Sequence, residues 1–301
     1  MAVALDDDLN EWQKLDAITP STQPGDAHHN KYSSWDPFGW VENDTYYAIF
    51  GGQHPGIVKS STLDGKWEYV GDFFAHGVEG VSLDEDISCA DLFKLGNRDV
   101  LLCISHQIGC RYYLGDWKNE QFYPESHAQM SWVDRSFFAP ESLLDDKGRR
   151  IMWAWLLDKN GFGPRWEGCW SGTMSLPRVL SLGDDGDLAM DVPEEIEALR
   201  YNAFKKEDFD VQPGTDLVID DIRGNSLELS IEMESDASTY GVKVCVSSDG
   251  AEETAIFYDA AQGMLTVDTR KSGPEDTPKD IEAGPFTLRE DERLQLRVFI
   301  D

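Results

Sequence analysis

Ser88-Cys89-Ala90-Asp91-Leu92-Phe93-Lys94-Leu95-Gly96-Asn97-Arg98-Asp99-Val100-Leu101-Leu102-Cys103-Ile104 is the stretch on which the fold turns. It opens on a compact segment, Ser88-Cys89-Ala90-Asp91, passes through the turn Gly96-Asn97-Arg98-Asp99, and closes on the short apolar strand Val100-Leu101-Leu102-Cys103-Ile104. The same succession stands on either side of it. Upstream are Trp35-Asp36-Pro37-Phe38, the turn Glu42-Asn43-Asp44 and the strand Tyr46-Tyr47-Ala48-Ile49-Phe50. Downstream are Phe138-Ala139-Pro140-Glu141, the turn Asp145-Asp146-Lys147-Gly148 and the strand Ile151-Met152-Trp153-Ala154-Trp155. A polar stretch ending in Trp12, Trp67 or Trp117 recurs with them.

Pro37, Ala90 and Pro140 lie 53 and then 50 residues apart. A period of this size, with short strands and recurring aromatic and turn residues, predicts propeller blades of four strands. One blade cannot bury both of its faces alone, so blades must stack. A β-sandwich with accidental spacing is the competing explanation of the repeat taken by itself. Composition changes near residue 195: all ten Trp and all six His precede residue 172. Beyond it, Ser226-Leu227-Glu228-Leu229-Ser230-Ile231-Glu232 and Val242-Lys243-Val244-Cys245-Val246 alternate cleanly, as strands with one wet face do. The expectation is an all-β chain, a partial β-propeller over 1–195 followed by a β-sandwich over 200–301.

A formal net charge of −31 excludes nucleic acid as a partner, because phosphate binding rests on Lys and Arg. It fits solubility beside a neutral ligand, or a salty medium that screens self-repulsion. No apolar run is long enough for a membrane helix, so no membrane partner is expected. The N-terminal Met1-Ala2-Val3-Ala4-Leu5-Asp6 start lacks the pattern of a signal peptide, and the compartment stays open. Cys89, Cys103, Cys110, Cys169 and Cys245 are odd in number and at no metal-like spacing, and read mostly as buried thiols. No cofactor or metal is expected.

The compact segments begin each repeat, where a propeller's innermost strands line the central funnel. They supply Asp36, Asp91 and Glu141, the last two in the same register. Glycoside hydrolysis commonly needs two carboxyl groups flanking the bond, with aromatic rings to stack on the sugar. An isolated Asp is more often a turn residue; three recurring together are less easily explained so. His54 and His106 follow inner strands and are in reach of a ligand, or serve as hydrogen-bonded structural residues. The run Asp84-Glu85-Asp86 reads as a solvated loop ahead of a calcium site.

With those segments assembled, the chain resembles glycoside hydrolase family 32, the invertase, levanase and inulinase group. Trp35-Asp36-Pro37, within Ser34-Trp35-Asp36-Pro37-Phe38-Gly39-Trp40, is similar to that family's Arg-Asp-Pro motif. Ile87-Ser88-Cys89-Ala90-Asp91 is similar to its Trp-Glu-Cys-Pro-Asp motif, Phe137-Phe138-Ala139-Pro140-Glu141 to Phe-Tyr-Ala-Pro-Gln, and Leu176-Pro177-Arg178-Val179-Leu180 to Leu-Pro-Arg-Glu-Leu. The resemblance implies a five-bladed propeller and retaining chemistry on β-fructosides, with Asp36 holding fructosyl hydroxyls and stabilising the transition state. The family's nucleophile segment, Trp-Met-Asn-Asp-Pro-Asn-Gly, finds no match, and the chain is expected to run from the end of the second blade into an incomplete sandwich. Ser88 replaces the acid/base Glu, and Trp35 replaces the Arg beside Asp36. Glu141 is therefore the expected acid, with Glu85 as a second candidate. Trp35, Ser88, Asp91 and His106 are the expected contacts to a small or polymeric carbohydrate. A non-catalytic sugar-binding relative and a scaffold protein are the alternatives.

Overall fold

Short apolar runs broken by Gly, Asn and Asp fold as antiparallel strands in the computed structural model, which describes residues 1–33, 35–131, 136–157, 172–273, 279–289 and 291–301. Ser34 and Cys169 lie outside them. An N-terminal hairpin pairs β1 (Ala2–Ala4) with β2 (Trp12–Lys14). A first meander follows: β3 (Trp35–Glu42), β4 (Thr45–Gly51), β5 (Gly56–Ser60) and β6 (Glu68–Asp72). The second contains β7 (Ser88–Leu95), β8 (Arg98–Ser105), β9 (Gly109–Lys118) and β10 (Gln121–Gln129). The third sheet holds β11 (Phe137–Leu144), β12 (Arg150–Leu157), β13 (Gly172–Met174), β14 (Arg178–Leu182) and β15 (Leu188–Asp191). The strands of the first two meanders are neighbours in chain order, and β13 and β14 both pair β12 in the third sheet.

The middle meander is apolar on both faces. Along β8 the side chains alternate, as strand geometry demands. Val100, Leu102 and Ile104 join a core with Phe137, Met152, Ala154 and Leu180 of the third sheet. Leu101 and Cys103 join another with Tyr47, Ile49 and Ile57 of the first. Fully burying a Leu or Ile side chain contributes roughly 1.5–3 kcal/mol, so β8 ties the three sheets together. Gly51 permits a close backbone approach: a Cβ there would lie 2.1 Å from the Ile87 carbonyl oxygen. Next to it, Gly52 and Ile87 exchange backbone hydrogen bonds of 2.6 and 3.1 Å.

The three opening strands carry one shared irregularity. The pairing register shifts between Trp35 and Phe38, between Ser88 and Asp91, and between Phe138 and Glu141. Inside each shift sits one residue with positive φ: Asp36 (37°), Cys89 (48°) and Ala139 (46°). Each opening strand therefore bulges at the same point, re-aiming its side chains as bulges do.

Among the described residues, a first compact unit comprises 1–157 and 172–192, and a second begins at Pro193. The second opens on α1 (Glu194–Glu197), the only helix among the described residues, so the fold is all-β. Its strands are β16 (Leu227–Met233), β17 (Thr239–Val244), β18 (Thr254–Asp259), β19 (Met264–Asp268), β20 (Ile281–Pro285) and β21 (Leu294–Ile300). The β16–β21 pair presents Ile231, Met233, Leu294, Leu296 and Val298 to Tyr240, Val242, Ile256, Tyr258 and Leu265 of the β17–β20 meander, two sheets sharing one core.

Candidate active site

The bulges on β3, β7 and β11 bring Asp36, Cys89 and Glu141 together. Asp36 acts electrostatically on both Cys89 and Glu141, and Glu141 acts on Cys89. Loss of hydration, and then the negative charges of Asp91 and Asp36, push the Glu141 carboxyl up to about 7. Glu141 is exposed, so water reaches it even as protein displaces part of its shell. Burial, then Asp36 and Glu141, push the Cys89 thiol up to about 11, so it stays a neutral thiol at the centre of the group.

Aromatic rings frame these carboxyls. Trp35 is 48% exposed and meets the His106 ring edge-on at 6.1 Å. His106 meets Phe138 at 5.9 Å, and Phe138 in turn meets Trp155 at 6.4 Å. Trp35 also borders an open depression of ≈ 590 Å³ that Gln23, Asn30, Tyr32 and His54 help to line. His54 thus joins the Trp35 side of the site.

Two of the expected sugar contacts lie beneath the surface. Asp91 is fully buried, and its Oδ2 accepts the Ser142 backbone N–H at 2.9 Å and the Ser142 hydroxyl. Burial raises its pKa, while the Ser142 hydroxyl and the Arg150 charge oppose the rise. Ser88 is 2% exposed, with its hydroxyl donating to Asp86 Oδ2 at 3.3 Å. Both side chains are thus engaged within the protein, Asp91 by Ser142 of β11 and Ser88 by Asp86. Asp91 and Glu141 share a register, yet β11 covers Asp91, and no described strand covers Glu141 in the same way.

Asp86 is the residue that sequence reasoning passed over. Rather than a solvated loop position, it is buried (9% exposed) and highly bonded. Its Oδ1 accepts the His106 backbone N–H at 3.0 Å, and its Oδ2 accepts His106 Nδ1–H at 2.6 Å. Burial works against its charge, but the bonds from His106 and Ser105 outweigh it and lower its pKa. Beneath, the fully buried Arg111 donates from Nη2 to the Asp86 carbonyl at 2.6 Å and from Nη1 to the Tyr113 hydroxyl at 2.8 Å. Glu85, the second acid candidate, accepts the Ser105 hydroxyl. A signal for the Asp86–His106 pair was present: each lies two residues beyond the paired Ser88 and Ile104, so the hairpin's own register sets them opposite. No cluster of three or more metal-ligating side chains occurs among the described residues.

Comparison with known proteins adds a second line of information. The model of the glycosyl hydrolases family 32 N-terminal domain matches residues 1–192, and the model of the family 32 C-terminal domain matches residues 195–301. A sucrose-6-phosphate hydrolase of Zymomonas mobilis is 26% identical over 291 residues, covering 88% of this chain and 55% of the relative. A fructan 1-exohydrolase of Leymus chinensis is 26% identical over 256 residues, covering 75% of this chain and 42% of its own. The chain thus spans about half the length of the curated relatives it matches. Among solved structures, fructan 1-exohydrolase IIa of Cichorium intybus superposes with a TM-score of 0.78 at 19% identity, covering 98% of this chain and 67% of that one. The sucrose-6-phosphate hydrolase of Lactobacillus gasseri gives 0.75 at 21% identity, covering 97% and 61%.

Proposed function

The chain belongs to glycosyl hydrolase family 32, and from that premise we propose that it serves the hydrolysis of β-fructosides such as sucrose and short fructans. In this reading the three meanders are the third, fourth and fifth blades of a five-bladed propeller, and β1–β2 closes the second.

The observation that carries the proposal is the meeting of Asp36 and Glu141 on the two bulged strands that flank β7, where each is felt by the Cys89 between them. Their roles differ because their surroundings differ. Glu141 keeps its proton to about pH 7 and serves as the acid that protonates the departing glycosidic oxygen. Asp36 holds the fructosyl hydroxyls and lends negative charge to the oxocarbenium-like transition state. Trp35, with half of its surface open, offers a face for a sugar ring. Ser88 stands where the family carries a Glu, and a hydroxyl cannot donate a proton near neutrality as a carboxylic acid does. The acid role therefore moves to Glu141, and buried Asp91 supports it by raising its pKa.

The test is release of free fructose from sucrose, 1-kestose and inulin. Glu141→Gln should lower turnover by about 10²–10⁴-fold, the usual contribution of a positioned acid. An unchanged rate in that variant sinks the assignment. Binding of the sugar without any release by the parent chain would favour a lectin-like role instead.

A further inference from the structure

We infer that His106 is a positioning residue: held by Asp86, it fixes the Trp35 indole as the wall on which a neutral oligosaccharide stacks. This rests on the reading above that the Asp36–Glu141 face takes sugars, and it bears on binding rather than on the chemical step. His106 follows β8 directly, in the meander whose β7 packs against both β3 and β11. Its ring meets Trp35 of β3 at 6.1 Å and 70°, and Phe138 of β11 at 5.9 Å and 73°. Both are edge-on contacts of the kind aromatic pairs prefer. One imidazole thus links rings of the first and third sheets, and Phe138 carries the row on to Trp155 at 6.4 Å. Among the described residues, His106 supplies the ring contact that Trp35 makes. Gly52 gives the indole little support, since even an added Cβ there would stand 3.9 Å from Trp35 Cε3.

What holds His106 lies beneath it. Asp86 accepts the His106 backbone N–H at 3.0 Å and its Nδ1–H at 2.6 Å, so backbone and ring are fixed together. Asp86 is held in turn: Arg111 Nη2 donates to its carbonyl at 2.6 Å, and the Ser88 hydroxyl to its Oδ2 at 3.3 Å. Arg111 is fully buried, which anchors the series in the core. Rigidity therefore passes from Arg111 through Asp86 and His106 to an indole that is 48% exposed. An exposed ring left to itself samples several rotamers, and a ligand that stacks on it must first order it. A ring already held spares the sugar that cost.

The surroundings of the wall set the ligand class. Asp36 is next to Trp35 in the chain, and its negative charge, felt at Glu141 and Cys89, disfavours an anionic sugar there. Trp35 also borders the depression of ≈ 590 Å³, where Gln23 and Asn30 bring amides that both donate to and accept from hydroxyls. A sugar unit stacked on Trp35 thus has room for a further unit beside it, which favours a neutral oligosaccharide.

The test is a double-mutant cycle on the Kd of 1-kestose, read by titration calorimetry, with kcat and KM for fructose release measured alongside. His106→Gln keeps a donor for Asp86 but has no ring. It should weaken binding about three- to tenfold, the weight of one aromatic pair, and raise KM alike while kcat stays within about twofold. Trp35→Ala should weaken binding at least as much. Adding His106→Gln to Trp35→Ala should cost less than about twofold more, because His106 acts through the indole. His106→Phe, which returns a ring between Trp35 and Phe138, should bring Kd back to within about twofold of the parent. Melting temperatures check the fold, and His106→Asn replaces a Gln variant that does not fold. An unchanged Kd in His106→Gln, losses that multiply across the two sites, or a Phe variant no better than Gln overturns the positioning role, while fructose release by the parent keeps the hydrolase reading. A parent that binds 1-kestose with the stated pattern yet frees no fructose overturns the hydrolase reading alone. One that neither binds nor cleaves it overturns both.

Discussion

Glu141 holds a proton that an ordinary Glu would lose, because its hydration is thinned and Asp91 and Asp36 are negative beside it. The consequence for stability has a definite sign. With the folded pKa raised to about 7 and the unfolded one near 4.5, ionised Glu141 opposes folding fully above about pH 7. The penalty shrinks as pH falls through that window and is gone below about 4.5. The side chain is exposed, so screening leaves on the order of 1 kcal/mol or less. Glu141→Gln should therefore melt up to about 2–4 °C higher at pH 8. Thermal scans should show the gap closing toward pH 4.5, and a gap that widens at acid pH would refute the cause given. At this scale Asp36 and Glu141 were legible as candidates from their recurrence in the repeat. The burial of Asp91 was not, although it shares the register of Glu141, because burial depends on which strand lies across it.

Among the elements, the repeated bulge does most to shape the site. Pro37, Ala90 and Pro140 mark its position in sequence, and nothing local in Asp36, Cys89 or Ala139 announces a left-handed backbone. A non-glycine residue in that region costs on the order of 1–3 kcal/mol and persists only where surrounding packing enforces it. Ala139 tests this most simply, since its side chain is one methyl group. Ala139→Gly should stabilise the chain by up to about 1 kcal/mol, and Ala139→Val should destabilise it by more than about 1 kcal/mol. Urea unfolding midpoints would measure both, and equal midpoints would show that the backbone there is unstrained. The hairpin β7–β8 makes a second point at this scale. Its pairing of Ser88 with Ile104 brings Asp86 to His106, and a register slip of one residue would separate them.

For the whole molecule, the net charge of −31 is the dominant electrostatic fact. The 57 acids outnumber the 26 Lys and Arg, so the native state repels itself at low salt. Raising KCl from 0.1 to 1 M shortens the screening length from about 10 to about 3 Å. The melting temperature should then rise by more than the roughly 2–4 °C that 1 kcal/mol represents. A flat response in differential scanning calorimetry would mean that the acids are dispersed widely enough to be harmless. Read alone, the sequence determined the β class, the repeat of about fifty residues, the change of character near residue 195 and the family motifs. These are matters of local pattern, of period-two alternation and turn chemistry, which neighbouring residues carry between them. Only the tertiary structure decided that Asp91 lies under β11 while Glu141 stays open, and that a loop acid, Asp86, is buried against His106. Those outcomes depend on segments about 20 to 50 residues apart coming into contact, and the free energy that selects them lies in packing across sheets, which no single stretch of the chain contains.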